Sequence, residues 1–204
     1  MSKDFTRPAT DDVIDKVAAV LRSNNIEVEV VDTGPEAKVR ALDLIPDGAE
    51  VYSGKSKTLE DISLFTELHE SGRYDSVRNR YLQMDRATQG REIRKLIGAP
   101  DYMVGSVHAL TEDGSLISAS YSGSQLGPYV SGAGRVILIV GSQKIVSDRD
   151  EAFERIRLHA FPYEDARLRE QLGVPTKTAK VLIMSAEGRP GRTTVFIVRE
   201  PVGV

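Results

Sequence analysis

Short apolar runs alternate with helix-like segments along the second half of the chain. The strand-like runs are DYMVGSVHAL (residues 101–110), SLISAS (115–120), VILIVG (136–141), KVLIMS (180–185) and TTVFIV (193–198), and the helix-like DRDEAFERIRLHAF (148–161) lies among them. This interleaving at short spacing is typical of a mainly parallel sheet with helices on both faces. We therefore predict the α/β class, with KVLIMS and TTVFIV as candidate antiparallel neighbours.

The first quarter of the chain contains elements of the same kind. VIDKVAAVLRSNN (residues 13–25) has helical spacing, IEVEVV (26–31) alternates apolar and acidic residues, and PEAKVRALDLIP (35–46) is again helical in pattern. The alternation favours an edge strand or a strand with one covered face. We predict that residues 1–48 form a helix–strand–helix segment packed on a core domain of residues 49–204.

The absence of cysteine is the most informative count in the composition. It excludes disulfides, thiolate nucleophiles, zinc–thiolate sites and cysteine-ligated iron–sulfur clusters within this chain. Electron transfer would therefore need an external cofactor or a partner protein, and the sequence identifies no cofactor. The histidines at 69, 108 and 159 stand in no metal-binding spacing, so we predict no metal site.

The formal net charge of −3 gives the chain no basic field for a nucleic-acid backbone. No apolar run approaches the roughly 20 residues that span a bilayer, and the first 25 residues lack the apolar centre of a signal peptide. We expect a cytoplasmic protein that binds neither nucleic acid nor membrane.

The segment SGKSKT lies between a predicted strand and a predicted helix. Backbone N–H groups at such a turn favour anions, so Ser53, Gly54, Lys55, Ser56 and Thr58 are candidate ligand-binding residues. The spacing is not that of a P-loop. A turn whose small residues cap the following helix, with Thr58 and Asp61 as a capping box, explains the pattern equally well.

Two candidate catalytic residues lie close together in the sequence. Glu112 belongs to TEDG, where a carboxylate could act as a nucleophile or in acid–base catalysis, but the same four residues are typical of a hairpin turn with Gly114 at positive φ. His108 in VGSVHAL is the only histidine near this turn, and a structural role is the alternative for it.

The run VGSVHALTEDGSLISASYSGSQLGPYVSGAGRVILIVGSQKIVSDRDEAFERI (residues 104–156) resembles the lactate-utilisation (LUD) domain family. The matching features are an acidic-Gly turn, a strand, a Gly-rich helix start, an apolar strand, then G-x-x-K-I-V and a helix. Weaker resemblance extends over residues 50–204, so the predicted core domain is LUD-like. The order of elements also predicts a turn at Tyr121–Gln125 and a helix from Leu126 to Ala133.

The resemblance implies a three-layer α/β/α fold like those of ribose-5-phosphate isomerase and class I coenzyme A transferases. In the similar isomerases a loop placed like SGKSKT binds phosphate, and in the similar transferases a glutamate placed like Glu112 forms the acyl adduct. The resemblance adds Gly123, Ser124, Gln125 and Lys144 as ligand-binding candidates. Many relatives have Gly-Asn-Arg at 123–125 and Gly-x-Asn-Lys at 141–144, where this chain has Gly-Ser-Gln and Gly-Ser-Gln-Lys.

Proteins of this kind take part in oxidising L-lactate to pyruvate within a three-component system whose other members carry iron–sulfur clusters. A cysteine-free chain would be the cluster-free member, binding an anionic small molecule beside cysteine-rich iron–sulfur partners. Two alternatives stay open: a stand-alone isomerase or coenzyme A transferase-like enzyme acting on a sugar phosphate or acyl thioester, and a non-catalytic docking partner of a redox complex. Whether the chain is an enzyme is likewise open.

Overall fold

A six-stranded, all-parallel sheet forms the centre of the molecule. The structure, a computed structural model, describes residues 3–204 apart from the side chain of Leu172. Its strands are β1 (Glu27–Val31), β2 (Glu50–Tyr52), β3 (Asp75–Ser76), β4 (Tyr102–Gly105), β7 (Arg135–Gly141) and β10 (Thr193–Val198). The strand order in the sheet is β1-β10-β7-β4-β2-β3.

Helices cover both faces of this sheet, so the fold is the three-layer α/β/α architecture that we predicted. Alternate residues of one strand point to opposite faces. Leu138 of β7 packs in the cluster that contains Val17, whereas Ile139 packs in the cluster that contains Ala37. The helices are α1 (Asp11–Ser23), α2 (Gly34–Asp43), α3 (Lys57–Asp61), α4 (Leu64–Glu70), α5 (Val77–Leu82), α6 (Gly90–Gly98), α7 (Arg149–Arg155) and α8 (Phe161–Leu172).

A second, four-stranded sheet packs beside the first and contains β5 (Ala109–Thr111), β6 (Leu116–Ser120), β8 (Ile145–Val146) and β9 (Lys180–Met184). Its strand order is β8-β5-β6-β9. Helix α7 and the π-helical turn Ile156–Ala160 cover this sheet, and the turn runs directly into α8. Pro162 has no N–H to donate within the first turn of α8, which accounts for the irregular helix before it.

The prediction that KVLIMS and TTVFIV are antiparallel neighbours is wrong. Strand β9 pairs with β6 at the edge of the small sheet, whereas β10 lies between β1 and β7 in the large sheet. The burial of the two strands explains the difference: every residue of β10 is buried, as a strand inside a covered parallel sheet must be, whereas no residue of β9 is.

Strand β1 is an edge strand, as its alternating pattern predicted, and within residues 3–204 its one partner is the parallel strand β10. Its helix α1 buries Ile14, Val17 and Leu21 in the same cluster as the central strands. The division of the chain at residue 48 stays a prediction. Strand β1 lies in the same sheet as strands of the predicted core domain.

The predicted helix after the Gly-rich turn is present from Leu126 to Gly132, and its last five residues are π-helical.

Gly132 packs against the end of α6, where an added Cβ would overlap the carbonyl oxygen of Gly98. We expect Gly132→Ala to lower the free energy of unfolding by roughly 2–3 kcal/mol, because neither backbone segment can move freely. Chemical denaturation would measure the loss.

Gly98 itself provides the matched control for this prediction. A Cβ added there meets nothing within 4 Å, and its φ is not in the left-handed region. We expect Gly98→Ala to change the free energy of unfolding by less than about 1 kcal/mol. Equal stability of the two variants would contradict the close packing of Gly132.

Candidate functional site

A cleft of about 770 Å³ opens where the carboxyl ends of the parallel strands meet the second sheet and α8. Strands β2, β4 and β7 end at Tyr52, Gly105 and Gly141, and the residues that follow each of them line one wall of the cleft. Open α/β sheets usually bind ligands at this edge. The fold therefore brings three separate loops to one concave surface.

Lys144 lies at the base of this cleft, at the end of the short 3₁₀ turn Ser142–Lys144. Two hydrogen bonds to the C-terminal segment hold this turn in place. Ser142 donates to the carbonyl of Arg199, and Gln143 Nε2 donates to the carbonyl of Val202 at 3.0 Å. The Gln143 amide holds the C-terminal segment and does not line the cleft.

The Lys144 ammonium donates to two hydroxyl groups, Thr58 Oγ1 at 2.7 Å and Ser106 Oγ at 3.1 Å. Only 2% of the residue is exposed. Burial, reinforced by the charge of Arg155 and partly offset by Asp61, lowers the pKa of Lys144 to about 7. Within residues 3–204, no carboxylate lies at ion-pair distance from Nζ. A buried cation without a counter-ion favours the binding of an anion.

A second buried cation lies beneath the floor of the cleft. Arg155 is fully buried and donates from Nη1 to the carbonyl of His108, while its Nε and Nη2 find no partner among residues 3–204. Burial lowers the pKa of Arg155 to about 10, so the guanidinium is still charged at neutral pH. Its charge adds to the positive potential around Lys144.

His108 lines the cleft as a neutral hydrogen-bonding group. Its Nδ1 accepts the backbone N–H of Ala119 at 3.2 Å, which leaves the proton on Nε2. Burial, followed by the charges of Lys144 and Arg155, lowers the pKa of His108 to about 4. At neutral pH the ring therefore offers one N–H donor and no positive charge.

Most basic side chains at the rim are already neutralised. The carboxylate partners are Glu60 for Lys55, Asp61 for Lys57 and Glu164 for Arg167. Two others find aromatic or phenolic neighbours: Arg78 donates to the hydroxyl of Tyr81, and Lys177 lies 5.8 Å from the ring centroid of Tyr121. Lys144 differs from all of these in combining deep burial with the lack of a carboxylate partner.

The structure brings most of the predicted site residues together. The predicted residues that line the cleft are Gly54, Lys55, Ser56, Thr58, His108, Ser124, Gln125 and Lys144. The capping-box prediction for Thr58 and Asp61 is wrong, because Ser56 is the N-cap of α3 and the Thr58 hydroxyl accepts from Lys144. Asp61 instead pairs with Lys57 and accepts the N–H of Gly203.

Ser53 and Gly123 do not line the cleft. Ser53 is fully buried and shares a 2.6 Å hydrogen bond with His69 Nε2, whose Nδ1 contacts the Ser76 hydroxyl at 2.7 Å. Burial, with a smaller contribution from Arg78, lowers the pKa of His69 to about 4. Gly123 has a φ of +83° and its N–H donates to Ser120 Oγ, which is the geometry of a tight turn.

Glu112 also lies outside the cleft lining. Strands β5 and β6 form the hairpin that TEDG predicted, with Gly114 at a φ of +81°. The Glu112 carboxylate pairs with Lys16 of α1 at 2.7 Å, and its N–H donates to the carbonyl of Val146. Glu112 is therefore not among the residues that would contact a ligand bound in this cleft.

Sequence reasoning missed Ser106 and Tyr129, which complete the base of the cleft. The Tyr129 hydroxyl donates to the carbonyl of Ser106 at 3.2 Å, and Ser106 Oγ accepts from Lys144. Gly105 leaves room for this phenol, since an added Cβ would overlap the Tyr129 hydroxyl. The available signal was the position of Ser106, directly after an apolar strand that ends at the ligand-binding edge of the sheet.

Within residues 3–204, no cluster of three or more histidine, aspartate or glutamate side chains could hold a metal ion. In the same described part of the chain, no helix combines the length and apolar character needed to cross a membrane.

Comparison with known proteins supports the fold from two directions. The family model of the LUD domain matches residues 14–198. A crystal structure of a DUF162 family protein from Deinococcus radiodurans superposes with a TM-score of 0.55 at 14% identity, covering 94% of this chain and 99% of that one. A search of curated proteins finds no significant match.

Proposed function

The chain belongs to the LUD domain family, as its sequence resemblance predicted, and we propose that it binds an anionic metabolite for a lactate-utilisation system. In this proposal the chain acts in the cytoplasm and binds a 2-hydroxy or 2-oxo acid. Because it contains no cysteine, iron–sulfur partner proteins would carry the electrons when L-lactate is oxidised to pyruvate.

The observation that carries the proposal is the buried ammonium of Lys144 at the base of the cleft. Keeping a charge in such a place costs several kcal/mol unless a counter-ion is present. Residues 3–204 supply two hydroxyl partners to Lys144 but no carboxylate. A bound carboxylate would complete the ion pair, and the nearby Arg155 adds to its attraction.

The groups around Lys144 can also orient a hydroxy or oxo acid. The carboxylate would accept from Lys144 Nζ, while the neutral His108 ring offers an Nε2–H to the neighbouring oxygen on C2. The Thr58 and Ser106 hydroxyls accept from Lys144, and their own protons make only long hydrogen bonds that a ligand oxygen can replace. Thr58 Oγ1 donates to Ser106 Oγ at 3.3 Å, and Ser106 Oγ donates to the carbonyl of Val107 at 3.4 Å. The site can therefore hold the acid and its C2 oxygen with separate donors.

Calorimetric titration with L-lactate and pyruvate tests this proposal. We expect Lys144→Met to weaken binding at least thirtyfold, because truncating one partner of a buried charge pair typically costs about 2–5 kcal/mol. Lys16→Met is the matched control, since Lys16 is an exposed lysine that pairs with Glu112 outside the cleft. It should leave the affinity unchanged.

The pH dependence gives a second readout in the same titrations. Only the ammonium form of Lys144 pairs with an anion, and its pKa in the free protein is about 7. Affinity should therefore fall as pH rises above 7, with proton uptake on binding.

Equal affinity of the wild type and Lys144→Met would overturn the site. Normal growth on L-lactate after deletion of the gene, in a strain without a paralogue, would overturn the lactate role.

A further inference from the structure

The cleft has two halves of different chemistry. The inner half is polar and buried, and it consists of the hydroxyl and nitrogen donors around Lys144. The outer half is mainly apolar, and we call it the outer wall: Tyr121, Phe161, Tyr163, Leu168 and Val174. Three of these side chains are strongly exposed, Tyr121 at 55%, Val174 at 48% and Tyr163 at 37%.

The outer wall is a built surface. Phe161 and Leu168 are seven residues apart, so they lie on one face of α8. Lys55 Nζ donates to Gln171 Oε1 at 3.1 Å, which ties α8 to the loop after β2. The backbone N–H of Thr176 donates to Asp165 Oδ1 at 2.8 Å, and Lys180 Nζ donates to the carbonyl of Tyr121 at 2.9 Å.

The cleft is larger than a three-carbon acid can fill. A volume of about 770 Å³ is within the range of roughly 300–1,000 Å³ that proteins use for drug-sized ligands. Lactate or pyruvate at Lys144 would occupy only the inner half and would leave Tyr121, Tyr163 and Val174 exposed. Apolar side chains gathered in a cleft usually mark a surface that a ligand covers.

We propose that the preferred ligand is an anion with a ring-bearing apolar body, whose head binds at Lys144 and whose ring packs against the outer wall. The inference rests on the anion site of the proposed function and names its ligand class. Three of the five outer-wall residues are aromatic, and aromatic rings favour offset or edge-to-face contacts with a ring of the ligand. An acid of this class is longer than lactate and occupies both halves of the cleft.

Matched pairs of acids test the inference by calorimetry. L-lactate is compared with L-3-phenyllactate, and pyruvate with phenylpyruvate, so that each pair shares a head and differs by a ring. We expect the ring-bearing member to bind at least tenfold more tightly to the wild type. Tyr121→Ala and Tyr163→Ala should each reduce this ratio severalfold without changing the affinity for the small acid. Both replace exposed side chains, so folding should be retained.

Val39→Ala is the control, because Val39 is an equally exposed apolar residue on α2 outside the cleft. It should leave the ratio unchanged. If no acid binds, the proposed anion site fails and this inference fails with it. If the small acids bind and require Lys144 but the ring adds less than twofold, only the inference is overturned. An equal gain with 2-hydroxyoctanoate, which has a chain in place of the ring, would also overturn it.

Discussion

Lys144→Met should make the protein more stable at pH 6, by roughly 2–4 kcal/mol, although it removes the anion site. The pKa of Lys144 falls from 10.5 to about 7 on folding, chiefly because of burial. Each pKa unit corresponds to about 1.4 kcal/mol of preference for the neutral form. Methionine avoids this penalty, but it also loses the hydrogen bonds to Thr58 and Ser106, which are worth about 1 kcal/mol each.

The sign of the pH dependence follows from the same pKa shift. Between pH 7 and 10.5 the unfolded chain holds a proton on Lys144 that the folded protein has released, so the wild type gains stability as pH rises. Below pH 7 the full penalty is present. The advantage of Lys144→Met should therefore be greatest at pH 6 and should become a loss of about 1–2 kcal/mol near pH 10.

Urea denaturation at pH 6, 8 and 10 measures this crossing directly. Lys16→Met, which removes an exposed lysine, should shift stability by less than about 1 kcal/mol at every pH. A saturating anion should stabilise the wild type at pH 6 far more than it stabilises Lys144→Met, because only the wild type completes the ion pair. A variant that is less stable than the wild type at pH 6 would show that the ammonium is not buried at a cost.

The elements of the fold follow closely from local sequence patterns, and their assembly does not. VILIVG and TTVFIV are apolar at every position but one or two, which predicts strands covered on both faces, and β7 and β10 are such strands. KVLIMS has a similar local composition but lies at the edge of the second sheet. Its pairing depends on which sheet the preceding chain reaches, and this long-range property leaves no local signal.

Some residues of the candidate site could likewise be predicted from local sequence, whereas others depend on contacts between distant parts of the chain. Gly54, Lys55, Ser56 and Thr58 could be predicted because the chain places small polar residues directly after a parallel strand. The burial of Ser53 away from the cleft could not be predicted. Its hydroxyl bonds to His69, which belongs to helix α4 and is distant in sequence. The outer wall was also missed, since helix α8 shows no periodicity that distinguishes a cleft from a core.

Arg192 had no place among the predicted site residues, yet its replacement should be among the most disruptive single changes in the chain. Only 5% of it is exposed, and it donates to the carbonyls of Pro128, Tyr129 and Ala133 and to the Glu187 carboxylate at 2.9 Å. Arg192→Met should lower the free energy of unfolding by roughly 3–5 kcal/mol, because it leaves a largely buried carboxylate without its cationic partner and removes one donor from each of three carbonyls. Urea denaturation measures the loss.

Arg192→Met should also disturb the anion site, because Arg192 holds the backbone of Tyr129. The Tyr129 hydroxyl donates to the carbonyl of Ser106, and the Ser106 hydroxyl in turn accepts from Lys144. We expect weaker anion binding even where the variant is folded.

Adding Glu187→Gln to Arg192→Met should restore about 1–2 kcal/mol of stability, since the unpaired carboxylate is then gone. Arg199→Met, which breaks only exposed ion pairs with Asp11 and Asp32, should cost less than about 1 kcal/mol. If both arginine variants lose equal stability, Arg192 does not fix the wall of the cleft.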